Sequence, residues 1–103
     1  MNEADLAAQM SGDIPFQREL LIVNRKGLHA RATAEFVQCC DKFDAEVTVT
    51  KDGETVGGAS IMGILTLGAA QGSTILVAAS GREAEAALEA LSALVAGRFG
   101  EEE

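Results

Sequence analysis

Neither tryptophan nor tyrosine occurs in this 103-residue chain, and proline and histidine occur once each. With four phenylalanines as its only aromatic (FWY) residues, the chain lacks the stacking platforms on which single-strand nucleic-acid binders rely. Its core is expected to be built from Leu, Ile, Val and Ala. Basic residues are scarce as well: eight Lys and Arg against sixteen Asp and Glu leave a formal charge of −8. A sequence-independent nucleic-acid binder needs the opposite surplus, so partners with basic or apolar docking surfaces fit better. No apolar run approaches the roughly 20 residues of a membrane helix. The start MNEADLAAQM lacks the charged-then-apolar layout of a secretory signal, which makes the cytoplasm the expected compartment. The only cysteines, Cys39 and Cys40, are adjacent, a pairing that offers neither a disulfide framework nor a zinc site.

What is present suffices for one domain. Hydrophobic residues make up 48% of the chain, enough for one core, while the length is too short for two. Residues 1–14 read as a mobile leader, with a transient helical turn at Asp5 to Met10 as the alternative. Residues 15–99 form the domain, and 100–103 form a solvated acidic tail. Within the domain, Phe16 to Val23 has the composition of a largely buried strand. A turn at Asn24-Arg25-Lys26-Gly27 leads to helical periodicity over Ala30 to Lys42, whose stripe is Ala30, Thr33, Ala34, Phe36, Val37 and Cys40. Arg31, Glu35, Gln38, Cys39 and Lys42 fall outside that stripe. Alternation over Ala45 to Lys51, a turn at Asp52-Gly53 and a return over Glu54 to Gly57 predict a hairpin.

Ser60 is placed to cap a short helix running to Ala70, with Ile61, Ile64 and Leu65 inward and Met62 outward. Ser73 to Ala79 reads as a strand. A last helix from about Arg82 carries Ala84, Ala87, Leu88, Leu91, Leu94 and Val95 on one stripe, and Gly97 and Gly100 loosen its end. Half-polar strands with short connections favour an antiparallel sheet covered by helices on one face, a two-layer α+β sandwich.

The chemistry concentrates on His29, the only histidine, which lies between a glycine-containing turn and a helix start. A lone histidine is most often structural or merely exposed, but this position changes the balance. Unpaired N–H groups of a first helical turn, with the positive end of the macrodipole, favour an anion there. Arg31 adds a guanidinium that can hold phosphate oxygens in a fork, although a surface pair with Glu35 is its plainer reading. Imidazole, partly neutral near neutral pH, can attack phosphorus and form a phosphoramidate reactive enough to pass the group on. No acidic cluster spaced for a metal and no GxxxxGK[ST] loop occurs, so an autonomous hydrolase or kinase lacks its usual parts, and no cofactor is implied.

The segment GLHARATAEFV, Gly27 to Val37, resembles the active-site signature of the HPr family, histidine phosphocarriers of the bacterial phosphoenolpyruvate-dependent phosphotransferase system. Gly57 to Val77, GGASIMGILTLGAAQGSTILV, is similar to the family's regulatory-serine region, and the resemblance covers about residues 16 to 98. It implies a four-stranded antiparallel sheet of order 1-4-2-3 under three helices, an open-faced sandwich. It further implies a phosphoryl group carried on His29 with help from Arg31, received from enzyme I and passed to a IIA-type acceptor. Ser60 becomes a candidate target of an ATP-dependent HPr kinase/phosphorylase, and Ile61 with Met62 a docking patch for partners. Two departures from the family pattern are Ala32, where many members have proline, and Ala59, where many have a basic residue. The expectation is a monomeric phosphoryl carrier rather than an autonomous catalyst. A regulatory module of the nitrogen-related branch of the system, acting by docking to effectors, is the alternative.

Overall fold

Four strands and three helices alternate along the chain in a computed structural model that describes residues 16–102. The leader expected over 1–14 and the final Glu103 lie outside the described residues. The strands are β1 (Phe16–Leu21), β2 (Glu46–Lys51), β3 (Glu54–Gly57) and β4 (Thr74–Ser80), and the helices are α1 (Ala30–Cys40), α2 (Ile61–Thr66) and α3 (Ala84–Ala96). A short 3-10 turn at Arg98–Gly100 follows α3.

The sheet runs β1-β4-β2-β3 and every pairing is antiparallel. Register follows the apolar positions: Leu20 faces Ile75 across β1 and β4, and Val77 faces Val49 across β4 and β2. At the Asp52-Gly53 turn both residues have positive φ, 51° and 84°. That is the backbone of a two-residue hairpin whose twist matches its strands. Alternate residues of β4, namely Ile75, Val77 and Ala79, are buried, as are Val47 and Val49 of β2. These side chains form the covered face of the sheet.

The helices supply the other layer. α3 packs on β1 and β4, and α1 packs against both α2 and α3. On α1, Ala32, Thr33, Phe36, Val37 and Cys40 are buried, whereas Ala30, expected in the stripe, is exposed and Ala34 is half-buried. Cys39 does not face away as the wheel implied but packs, half-buried, against the core. Neither does the core lack aromatics. Phe36 and Phe99 are its two largest fully buried side chains, each removing an apolar surface worth about 1.5–3 kcal/mol from water.

Further expectations about β1 and α2 need correction. β1 is not largely buried: of Phe16–Leu21 only Leu20 is inside, because β1 pairs with β4 alone and helices cover only one face of the sheet. The strand also stops before Val23, although fully buried Ile22 continues the pairing by donating its N–H to Ser73 O at 2.9 Å. α2 ends at Thr66, not Ala70, just before Gly68 turns the backbone with φ +63°. Ile61, expected inward, is 42% exposed, since the first residue of so short a helix projects past the core. Ile64 is fully buried as expected, Leu67 joins it in the interior, and Leu65, also expected inward, is half-buried.

Candidate functional site

The turn before α1 is built to deliver His29 to the helix start. Gly27 has φ +66°, and a Cβ there would lie 2.4 Å from Ala69 O, so only glycine fits this close approach. The next residue, Leu28, donates its N–H to that same carbonyl at 2.8 Å, stitching the turn to the loop after α2. Asn24, fully buried, braces the turn from inside: Nδ2 donates to Gly27 O at 2.8 Å. His29 follows as the N-cap residue of α1, with extended backbone, and accepts the Thr33 N–H on its carbonyl at 2.9 Å. Its side chain makes no capping bond. The first N–H groups of α1 therefore have no acceptor within the helix, and the positive end of the helix lies beside the imidazole.

The imidazole instead meets the far end of the chain. Its Nε2 lies 2.5 Å from Glu101 Oε2, a contact between residues 72 positions apart, and the Glu101 side chain is only 11% exposed. The other carboxylate oxygen, Oε1, accepts from Asn24 Nδ2 at 3.1 Å. The His29 hydrogen bond is the main cause that holds the Glu101 carboxyl below the ordinary carboxylate range. Burial opposes it, while Asn24 and the positive charge of Arg31 act in the same direction. The expectation that Glu101 belongs to a solvated tail is thus wrong. Fully buried Phe99 anchors the 3-10 turn and folds the chain back toward α1. The signal overlooked in the sequence is an aromatic set between Gly97 and Gly100 beyond the end of a helix.

Arg31 is 65% exposed, with Nη2 3.8 Å from Glu35 Oε1, a loose i,i+4 pair. Together with Arg25, Lys26, Gly100, Glu101 and Glu102 it lines an open basin of about 680 Å³. Three cationic side chains and the carboxylates of Glu101 and Glu102 therefore share one depression, and Glu101 links it to His29. Ser60 caps α2 as expected, its Oγ accepting the Gly63 N–H at 3.0 Å. Ser60, Ile61 and Met62 are all exposed, Met62 at 70%, and they make no hydrogen bond or ion pair with His29 or Arg31. Burial pushes the Cys40 thiol up to about 12 and raises that of Cys39, so neither is a ready nucleophile. Among the described residues no group of three His, Cys, Asp or Glu could hold a metal ion, and no helix is long and apolar enough to cross a membrane.

A family model described as the PTS HPr component phosphorylation site matches residues 16–97. The chain belongs to the HPr phosphocarrier family. A phosphocarrier protein HPr of Xylella fastidiosa is 43% identical over 86 residues, covering 84% of this chain and 97% of that protein. A phosphocarrier protein NPr of Shewanella violacea is 39% identical over 85 residues, covering 82% and 93%. Among solved structures, an HPr from Thermoanaerobacter tengcongensis superposes with a TM-score of 0.82 at 42% identity, covering 85% of this chain and 99% of that one. The sheet order 1-4-2-3 under three helices agrees with that HPr neighbour.

Proposed function

We propose that His29 accepts a phosphoryl group from the phosphohistidine of enzyme I and passes it to a IIA-type acceptor, with Arg31 holding phosphate oxygens. The observation that carries this reading is the single imidazole at the start of an 11-residue helix, uncommitted to capping, beside a basin lined by Arg25, Lys26 and Arg31. Helix N–H groups, the macrodipole and guanidinium or ammonium charge are the standard means of holding a phosphoryl group. The basin is open, so a partner can reach the cationic side chains that flank His29 and supply the rest of the transfer geometry. Nothing in such a mechanism requires the chain to act as a catalyst by itself. The carrier is taken to be a cytoplasmic monomer.

Incubation with phosphoenolpyruvate and enzyme I is expected to place acid-labile phosphate on His29, and a His29→Ala variant is expected to take up none. Label retained by that variant would defeat the assignment.

The exposed α2 carries the regulatory and docking part of the proposal. Ser60 is the target of an HPr kinase/phosphorylase, and Ile61 and Met62 form an apolar contact for enzyme I. A second reading, a docking regulator in the nitrogen-related branch, is favoured by the 39% identity to a phosphocarrier NPr. Partner binding without phosphate transfer would select it.

A further inference from the structure

Among the described residues Glu101 is the one acidic side chain bonded to the His29 ring, and both of its carboxylate oxygens are held. Its Oε2 lies 2.5 Å from His29 Nε2 and its Oε1 accepts from Asn24 Nδ2 at 3.1 Å. Asn24 is fully buried and tied to Gly27 O. The backbone that carries Glu101 is unusual as well. Arg98 and Phe99 both have left-handed backbone, φ 59° and 55°, which non-glycine residues adopt at an energetic cost. Burial of the Phe99 ring offsets that cost, and Glu101 N–H closes the turn on Arg98 O at 2.9 Å. A tail with no task at the site has no need of so constrained a return.

A carboxylate can only accept, so a neutral imidazole bonded to it must carry its proton on Nε2. The lone pair then resides on Nδ1, which has no hydrogen bond to any described residue. Building on the phosphoryl-carrier reading above, we propose that Glu101 is a positioning residue for the transfer, holding the His29 ring as its Nε2–H tautomer and balancing the charge the ring acquires. In the step, the Nδ1 lone pair forms the new N–P bond while the P–N bond to the enzyme I histidine breaks, its electron pair returning to that nitrogen. The Nε2 proton stays in place, so the phosphorylated ring is cationic. Glu101 faces that cation in a setting where charge-assisted hydrogen bonds are strong. The carboxylate also repels the phosphoryl oxygens, and Glu102 in the same basin adds to this. Arg25 and Lys26 from the preceding turn and Arg31 from α1 oppose that repulsion.

The test uses the full chain with Glu101→Ala and the near-isosteric Glu101→Gln, each checked for folding by thermal unfolding. Nitrogen NMR of the His29 ring is expected to show an Nε2–H tautomer in the parent and in Glu101→Gln, and a mixture of tautomers in Glu101→Ala. The rate of phosphoryl acceptance from phosphorylated enzyme I is expected to fall roughly tenfold or more in Glu101→Ala, the scale set by loss of one charge-assisted hydrogen bond. Glu101→Gln, which keeps an acceptor but not the charge, is expected to lose part of that rate. If the alanine variant does not fold, the glutamine variant alone decides. Unchanged or faster uptake in a folded variant, with the parent labelled on His29, overturns the role of Glu101 and leaves the carrier reading intact. A parent that takes no label removes both.

Discussion

Gly27 shows at the scale of one residue how tightly the backbone before His29 is held. Its φ of +66° is open to glycine, and a Cβ would meet the carbonyl oxygen of Ala69 at 2.4 Å. Gly27→Ala therefore combines left-handed strain with a backbone clash and is expected to destabilise by about 2–3 kcal/mol. The midpoint of urea unfolding checks this, and an unshifted midpoint would contradict the close approach. The same residue belongs to the resemblance motif GLHARATAEFV, so its importance was legible in the sequence. Its reason was not, because Ala69 lies 42 positions away and only the fold brings its carbonyl to the turn. Cys39 teaches the same lesson on a smaller scale. A helical wheel placed it outside the stripe, yet it packs half-buried against the core, because several elements surround α1 and a wheel allows for only one neighbour.

Among the elements, α2 carries the sharpest separation between stability and function. Its N-terminal cap is Ser60 Oγ, which accepts the Gly63 N–H. Asp caps a helix as well as Ser does, so Ser60→Asp is expected to keep the fold while adding negative charge. Acceptance of phosphate from enzyme I is expected to slow, and unchanged transfer kinetics would count against regulation through this serine. Met62, 70% exposed, carries the docking idea. Met62→Asp is expected to weaken affinity for enzyme I without lowering the unfolding temperature, and a titration showing equal affinity would discard the patch. The hairpin and the stripe of α3 were readable from local pattern, since a two-residue turn and a 3.6-residue period need no distant partner. The inward face of α2 was not. Six residues make fewer than two turns, and which of Ile61, Ile64 and Leu65 points inward depends on how α2 lies against α1.

For the whole molecule, the contact between His29 and Glu101 joins the first helix to the end of the chain and makes stability depend on pH. The Glu101 carboxyl is held below its ordinary value of 4.5, chiefly by the His29 hydrogen bond. The unfolded chain therefore takes up this proton first as pH falls. The contribution of Glu101 is present in full above the ordinary carboxylate range, declines below about 4.5 and is gone once pH passes beneath the lowered folded value. The stability difference between the parent and Glu101→Gln is expected to shrink over that interval. A difference independent of pH there would show that the carboxylate is not held as described. Surface pairs such as Arg18 with Glu89, 3.0 Å apart and both well exposed, are expected to contribute little.

Local pattern by itself determined the succession of strands and helices, the hairpin turn and the place of the lone histidine at a helix start, because each depends on periods and turn residues within a few positions. The meeting of His29 with Glu101 was decided only in three dimensions. It requires Phe99 to enter the core, two non-glycine residues to adopt left-handed backbone and a buried asparagine to receive the returning carboxylate. An acidic tail looks the same in sequence whether it is solvated or folded back. Burial of one aromatic ring made the difference.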